Sequence, residues 1–215
     1  MARPRGVEDE VILRATARVM GRVGPAGFTL AAVAREVGLV PGTLVQRFGS
    51  KRGLLLALAG LSAREAGEAA GRVRGTGGSA LGALTALATD SAAGMGTPES
   101  FAHHLAFLCA DLTDPELRAH ALTVHRAQDR AVTELLTEAV ALGELRPDTE
   151  VTALARTVRA VTTGAGLSWA LDHHGGLAER IRQELDAVLR PHLAPGRPAP
   201  GTPHDHPAEQ EAEQT

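Results

Sequence analysis

An all-α fold of about nine helices is the expectation, and three observations carry it. Hydrophobic residues make up 44% of the 215 and aromatic residues only 2%, so the core has to be built from Leu, Val and Ala, a composition that favours helices. No run of alternating β-branched residues reads as a strand. Apolar residues recur at helical spacing between recognisable start and stop signals, such as Asp114-Pro115-Glu116 before one helix and Gly143 after it. A chain of this length buries a real core in one or two domains.

Residues 1–6 read as a flexible basic arm or an unordered terminus. The first helix spans about Val7 to Val23 and turns Val11, Ile12, Ala15 and Val19 toward the helix pair after it; Gly21, Gly24 and Gly27 around Pro25 break it. Two short amphipathic helices come next. The first runs from about Thr29, whose hydroxyl is a good N-cap, to Val37, with Leu30, Val33, Ala34 and Val37 on one stripe. Gly38 ends it where a left-handed backbone is needed. The second starts at Pro41, with Pro41, Leu44, Val45 and Phe48 expected inward. Gly42, Thr43, Gln46 and Arg47 fall on the other face as i, i+4 pairs. This is a helix-turn-helix, which presents one helix to a DNA major groove. On its free face Gln pairs with adenine, Arg with guanine or phosphate, Thr with either, and Gly42 allows close approach.

At these positions the chain resembles the TetR family of bacterial transcriptional regulators, over roughly residues 7–56. The residues that carry the resemblance are Ile12, Ala15, Gly24, Phe28-Thr29, Val33-Ala34, Val37-Gly38, Pro41-Gly42-Thr43-Leu44, Phe48, Ser50-Lys51 and Leu54-Leu55. Two positions depart from the family pattern. Val45 stands where a phosphate-contacting Tyr is usual, and Val40 where a Ser or Thr usually caps the recognition helix, a cap worth ~1 kcal/mol. The resemblance implies DNA contacts from Thr29, Pro41, Gly42, Thr43, Gln46, Arg47 and Lys51. It also implies a helical body that binds a small-molecule effector and forms a homodimer, whose two heads meet successive major grooves roughly 34 Å apart on a palindromic operator. The phrase Thr163-Gly164-Ala165-Gly166-Leu167-Ser168-Trp169-Ala170-Leu171 is similar to the C-terminal domain of some members.

The fourth helix begins after Ser50 as N-cap and runs to about Arg72, with Leu54, Leu55, Leu58 and Leu61 on its apolar side. Lys51 in its first turn sits where free amides also favour a phosphate. Gly53 is costly so early in a helix. Gly71 to Gly78 reads as a linker; it lacks the Lys of a phosphate-binding loop. A fifth helix spans about Ser79 to Ala93, and Thr97-Pro98-Glu99 opens a sixth to about Ala110. A seventh follows Asp114 to about Leu142. An eighth opens at Arg146-Pro147-Asp148 and runs to about His173, and the last spans Leu177 to Leu189. In the eighth, Val151, Leu154, Val158, Val161, Thr162 and Ala165 make one face, and the small residues Ala153, Thr157, Ala160 and Gly164 another. Gly164 and Gly166 inside a helix need close packing to offset their cost. The last two helices carry more apolar surface than one body hides, so a homodimer built as a four-helix bundle is expected, with Val158, Val161, Ala165, Ile181, Leu185 and Val188 at its interface. The tail from Pro191 is rich in Pro, His and Glu and is expected to be disordered.

The organisation expected is therefore a DNA-binding head over residues 1–50, a regulatory and dimerisation body over 51–190, and a tail over 191–215. Charge agrees with it: residues 1–52 hold nine basic and four acidic residues, the remainder thirteen and twenty-one. Cys109 is the single cysteine, no signal peptide or apolar span of transmembrane length is seen, and a cytoplasmic protein is expected. No metal or other cofactor is expected, because the adjacent histidines His103-His104 and His173-His174 point about 100° apart on a helix and no His-Glu-x-x-His or Cys-x-x-Cys spacing occurs. No nucleophile motif surrounds Cys109 or Ser168, so no enzymatic activity is expected. Met95, Phe101, His104, Phe107, Leu108, His125 and Trp169 are candidates for the effector pocket that the resemblance implies; for each of them, ordinary core packing is the alternative. The alternative function is a helical ligand-binding or protein-interaction module that has lost DNA binding.

Overall fold

Local signals place most helix ends. The computed structural model describes residues 7–74, 78–90, 92 and 94–195, with residues 69–74 described by backbone alone. Among these, nine α-helices follow one another: α1 (Asp9–Gly27), α2 (Leu30–Glu36), α3 (Pro41–Phe48), α4 (Lys51–Arg74), α5 (Ala80–Asp90), α6 (Pro98–Asp111), α7 (Pro115–Ala141), α8 (Val151–Asp172) and α9 (Leu177–Leu189). Thr97 caps α6 by accepting from Ser100 N, and Asp114 caps α7 by accepting from Glu116 N and Leu117 N. In both, Pro occupies the first turn, where its missing amide hydrogen costs nothing.

The apolar stripes meet in three clusters. One joins α1–α3 through Ile12, Val19, Phe28, Val33 and Leu44, and takes in Leu54 and Leu61 from α4 and Phe107 from α6. Phe28 and Phe107 meet edge to face with centroids 5.6 Å apart. A second holds α5, α7, α8 and α9 together around Leu84, Leu135, Leu136, Leu154, Val158 and Leu185. A third, smaller one packs Trp169 of α8 against Leu177 and Ile181 of α9. Beyond these clusters, α1 lies on α6 and α4 on α7.

Several boundaries move. α1 starts at Asp9 and continues to Gly27 across a kink at Gly24 (φ 63°), so Pro25 sits after the bend. Val11 is exposed, because Ile12, Ala15 and Val19 already fill the buried stripe. α4 continues through Gly71–Arg74, which were expected as linker; Gly75–Gly77 of that linker lie outside the described residues. Ser50 does cap α4, accepting from Gly53 N at 3.0 Å, and Gly53 is there for a steric reason: a Cβ would stand 2.0 Å from Phe48 O. α5 stops at Asp90.

α8 begins at Val151 instead of near Arg146, since Arg146–Thr149 closes a turn and Arg146 N bonds His192 O. The chain also stays on the body past Pro191. Arg190–His192 forms a 3-10 turn, Leu193 pairs with Leu145, and Ala194 N bonds Glu144 O; residues 196–215 of the expected tail lie outside the described residues. Glu144 is buried there and its Oε2 accepts from Ser79 Oγ and Leu81 N, both at 2.9 Å, capping α5 from 63 residues away.

Candidate nucleic-acid interface and body cavity

Two short helices and one glycine build the candidate interface. Thr29 Oγ1 accepts from Ala32 N at 3.1 Å and fixes the start of α2. Gly38 takes φ 68°, which lets Leu39 N reach back to Ala34 O at 2.9 Å and turns the chain toward α3. α3 begins with Pro41, and Val40 before it makes no side-chain cap. Leu44, fully buried, and the half-buried Phe48 seat α3 on the core.

The outward surface of α3 is wider than the sequence expectation: Gly42, Gln46 and Arg47 are exposed as expected, and two further residues join them. Pro41, Gly42, Val45 and Gln46 are exposed, Val45 by 48%. Pro41 and Val45 were expected inward, but Leu44 and Phe48, an i, i+4 pair, suffice to anchor so short a helix, and Val45 lies next around the barrel. Thr43 is half-buried. Arg47 is held against α1, where it donates to Val7 O and to Asp9 Oδ1 (3.2 Å). The freely presented face is thus Gly42, Val45 and Gln46, with Arg47 at its edge and already bonded.

Basic side chains around it differ in availability. Lys51 is exposed, its ammonium 5.1 Å from the Phe28 ring centroid. Arg35 in the last turn of α2 is exposed and has no partner among the described residues; it was not anticipated, although it lies off the apolar stripe of α2. Arg14 is bonded to Glu10 and Glu65, and Arg18 and Arg22 flank Glu36. The hydrogen bond from Arg22 in particular holds the Glu36 carboxyl below the usual carboxylate range. Arg52 bonds Asp114 and Glu116 at the start of α7, tying the start of α4 to the body.

Within the body, α5 to α9 line an open-mouthed cavity of about 940 Å³. Met95, Phe101, His104, Leu108 and His125 line it. Phe107 and Trp169 do not. Phe107 faces the other side of α6, in the cluster with Phe28, and Trp169 is buried against α9 with its indole N–H donating to Gly175 O at 3.0 Å. Gly166 does lie in close packing, since a Cβ there would stand 2.5 Å from the Phe101 ring, whereas Gly164 faces open space.

The sequence reading missed the polar part of the cavity wall, above all Arg118, Gln128 and Arg159. Asp129 organises it: its Oδ1 accepts from Arg159 Nε at 3.0 Å and its Oδ2 lies 3.1 Å from His125 Nε2. Arg159 Nη2 is 3.1 Å from His125 Nδ1. A guanidinium only donates, so Nδ1 is the acceptor and His125 carries its proton on Nε2, toward Asp129. Helical periodicity places 125 and 129 on one face of α7, but it cannot bring Arg159 from α8 beside them. Among the described residues no group of three or more His, Cys, Asp or Glu gathers at metal-binding spacing.

Four residues expected at a dimer interface belong to the protomer's own core. Val158 and Leu185 sit in the second cluster and Ala165 and Ile181 in the third, because α8 and α9 pack on each other within the protomer. Val161 is half-buried, and the half-buried Val188 packs against the second cluster. The exposed apolar side of α8 carries Leu167 and Leu171, 49% and 77% exposed, beside the small residues Ala160 and Gly164.

A helix-turn-helix with its second helix facing outward, joined to a larger helical body, defines a class of DNA-binding regulator. The model of bacterial regulatory proteins of the tetR family matches residues 12–58, and that of the tetracyclin repressor-like C-terminal domain matches residues 109–185. Solved structures agree in fold. SmeT, the repressor of the Stenotrophomonas maltophilia multidrug efflux pump SmeDEF, superposes with TM-score 0.63 at 20% identity over 92% of this chain and 96% of that one. The ketosteroid regulator KstR2 of Mycobacterium tuberculosis gives 0.60 at 15% identity over 87% and 96%. A Saccharomonospora viridis protein solved with choline gives 0.69 at 18% identity over 86% and 96%. No curated protein matches the chain in sequence. Together the two models cover more than half of the chain, which belongs to the TetR family of bacterial transcriptional regulators. No helix among the described residues is long and apolar enough to cross a membrane.

Proposed function

We propose that the chain is a ligand-responsive repressor that acts in the cytoplasm and binds a palindromic operator as a homodimer. In this reading α1–α3 form the DNA-binding head. Gln46 reads a base edge, Gly42 admits the backbone, Lys51 and Arg35 meet phosphates, and Thr29 holds α2 in position. A second copy packs on the exposed side of α8, around Leu167 and Leu171. The body cavity receives the effector.

The observation that carries this reading is the double role of α6. Phe101 and His104 line the cavity, and the same helix is bonded to α1: His103 Nδ1 donates to Gly21 O at 2.8 Å. Contact there is tight, since a Cβ at Gly21 would stand 2.7 Å from His104 Cε1. A molecule that favours one placement of α6 therefore also biases α1 and the spacing of two heads, which is the differential affinity a switch requires. A gel shift with the DNA flanking its own gene tests the first half: a dimer-sized, salt-sensitive complex is expected. The absence of any complex, or a stable monomer in sedimentation, would refute it.

A further inference from the structure

The cavity's charge is one-sided, and this bears on which molecule it receives. Its two formally charged lining side chains are both arginines, Arg118 and Arg159, and among the described residues no carboxylate lines it. The rest of the wall is mostly apolar.

Arg159 is prepared for an anion. It is largely buried, with 22% of its side chain exposed. Asp129 takes its Nε–H and His125 takes one hydrogen from Nη2, which fixes the plane of the guanidinium. Nη1 has no partner among the described residues, and its two hydrogens, with the second on Nη2, are left over. A planar fork with free hydrogens beside an apolar chamber matches a carboxylate on an apolar body. Arg118 lies seven residues before His125 on α7, about 10 Å along the helix, and has no partner among the described residues. It adds positive potential without an acid to cancel it.

The same wall disfavours cations. A quaternary ammonium needs aromatic faces or a carboxylate, and Phe101 is the one Phe, Tyr or Trp side chain in the lining. A volume of about 940 Å³ leaves room for a drug-sized organic molecule around the guanidinium.

We infer that the effector is an apolar organic acid whose carboxylate is taken by Arg159, with Arg118 drawing it in. This rests on the ligand-sensing reading above, and the experiment separates the two. Full-length protein is loaded with Nile red, a neutral apolar dye, whose fluorescence reports entry into the cavity. Exclusion of the dye overturns the ligand-sensing reading itself, and this inference with it.

With the dye bound, dodecanoate and dodecyltrimethylammonium below their micellar concentrations and dodecanol below its solubility limit compete. Dodecanoate is expected to displace the dye at about tenfold lower concentration than dodecanol, with the ammonium weakest. Arg159→Leu should bring dodecanoate to the level of dodecanol and leave dodecanol unchanged, which a merely structural role would not do. The Arg159→Leu/Asp129→Leu pair, which leaves no unpaired acid, repeats the measurement if the single variant folds poorly. Equal displacement by the three probes, preference for the ammonium, or a carboxylate preference that survives loss of Arg159 overturns the assignment and leaves ligand sensing intact.

Discussion

The arginines of the head and those of the cavity stand in opposite surroundings. Around α1–α3 and the start of α4, Arg14, Arg18, Arg22, Arg47 and Arg52 all have carboxylate partners, three of which, Glu65, Asp114 and Glu116, come from beyond α3. Only Arg35 of α2 and Lys51 at the start of α4 stay exposed without an acid among the described basic residues of this region. In the cavity, among the described residues, Arg118 has no acid partner and Arg159 has none on Nη1 even with Asp129 beside it. A count of basic residues therefore overstates the field the head offers to phosphates and hides the one the cavity offers to a ligand. What matters is the charge left after neighbours are satisfied.

The largest expected effect tests whether head and body can be compared as separate electrostatic units at all. Phe107 comes from α6 yet completes the head core with Phe28. Phe107→Ala should cost about 3–5 kcal/mol in chemical denaturation and loosen the head; a cost under about 1 kcal/mol would show the two units to be nearly independent. Next in size, Gln46→Ala should weaken operator binding by about 1–3 kcal/mol in a fluorescence titration. Arg47→Ala should weaken it less, because that guanidinium is already bonded to α1. The reverse order would mean that Arg47 leaves Asp9 on binding.

Salt dependence sharpens the comparison further. Lys51→Ala and Arg35→Ala should each flatten the slope of log affinity against log salt by about one, while Arg22→Ala, already paired with Glu36, should leave it unchanged.

The smallest effect is in pH. The Arg52 hydrogen bond, ahead of those from α7 amides, holds the Asp114 carboxyl below its ordinary value. Its stabilising share is therefore complete above the unfolded value of about 4 and is lost as pH falls through the lowered one. Burial raises the neighbouring Asp111, which acts in the opposite sense, since acid relieves the penalty of keeping it charged. The Tm gap between wild type and Arg52→Ala should be present at neutral pH and close as pH falls through the lowered Asp114 value. A gap that persists in acid would show that Arg52 acts through packing.

Short-range features were legible because their causes are short-range. Thr29, Thr97 and Asp114 bond amides two or three residues away, and Gly38 answers a backbone requirement at its own position, so the neighbouring sequence contains everything that decides them. The same holds for the apolar stripe of α2 and for the helix-turn-helix as a unit. The inward stripe of α3 was drawn two positions too wide, at Pro41 and Val45, because periodicity marks which residues share a side and not how many the core has room for. Four of the six residues expected at a dimer interface met a related ambiguity: an apolar face at helical spacing looks the same whether α9 or a second copy covers it.

The order of helices, the positions of most caps and the outward helix of the DNA-binding motif were therefore determined by the sequence itself, through interactions that span one or two turns. Tertiary structure alone decided that Arg47 turns to Asp9, that Glu144 caps a helix more than sixty residues before it, that Phe107 belongs to the head, and that Arg159 meets His125 and Asp129 across two helices. Each of these depends on distances between segments far apart in the chain. Such distances arise from how whole helices pack, and no local run of residues encodes them.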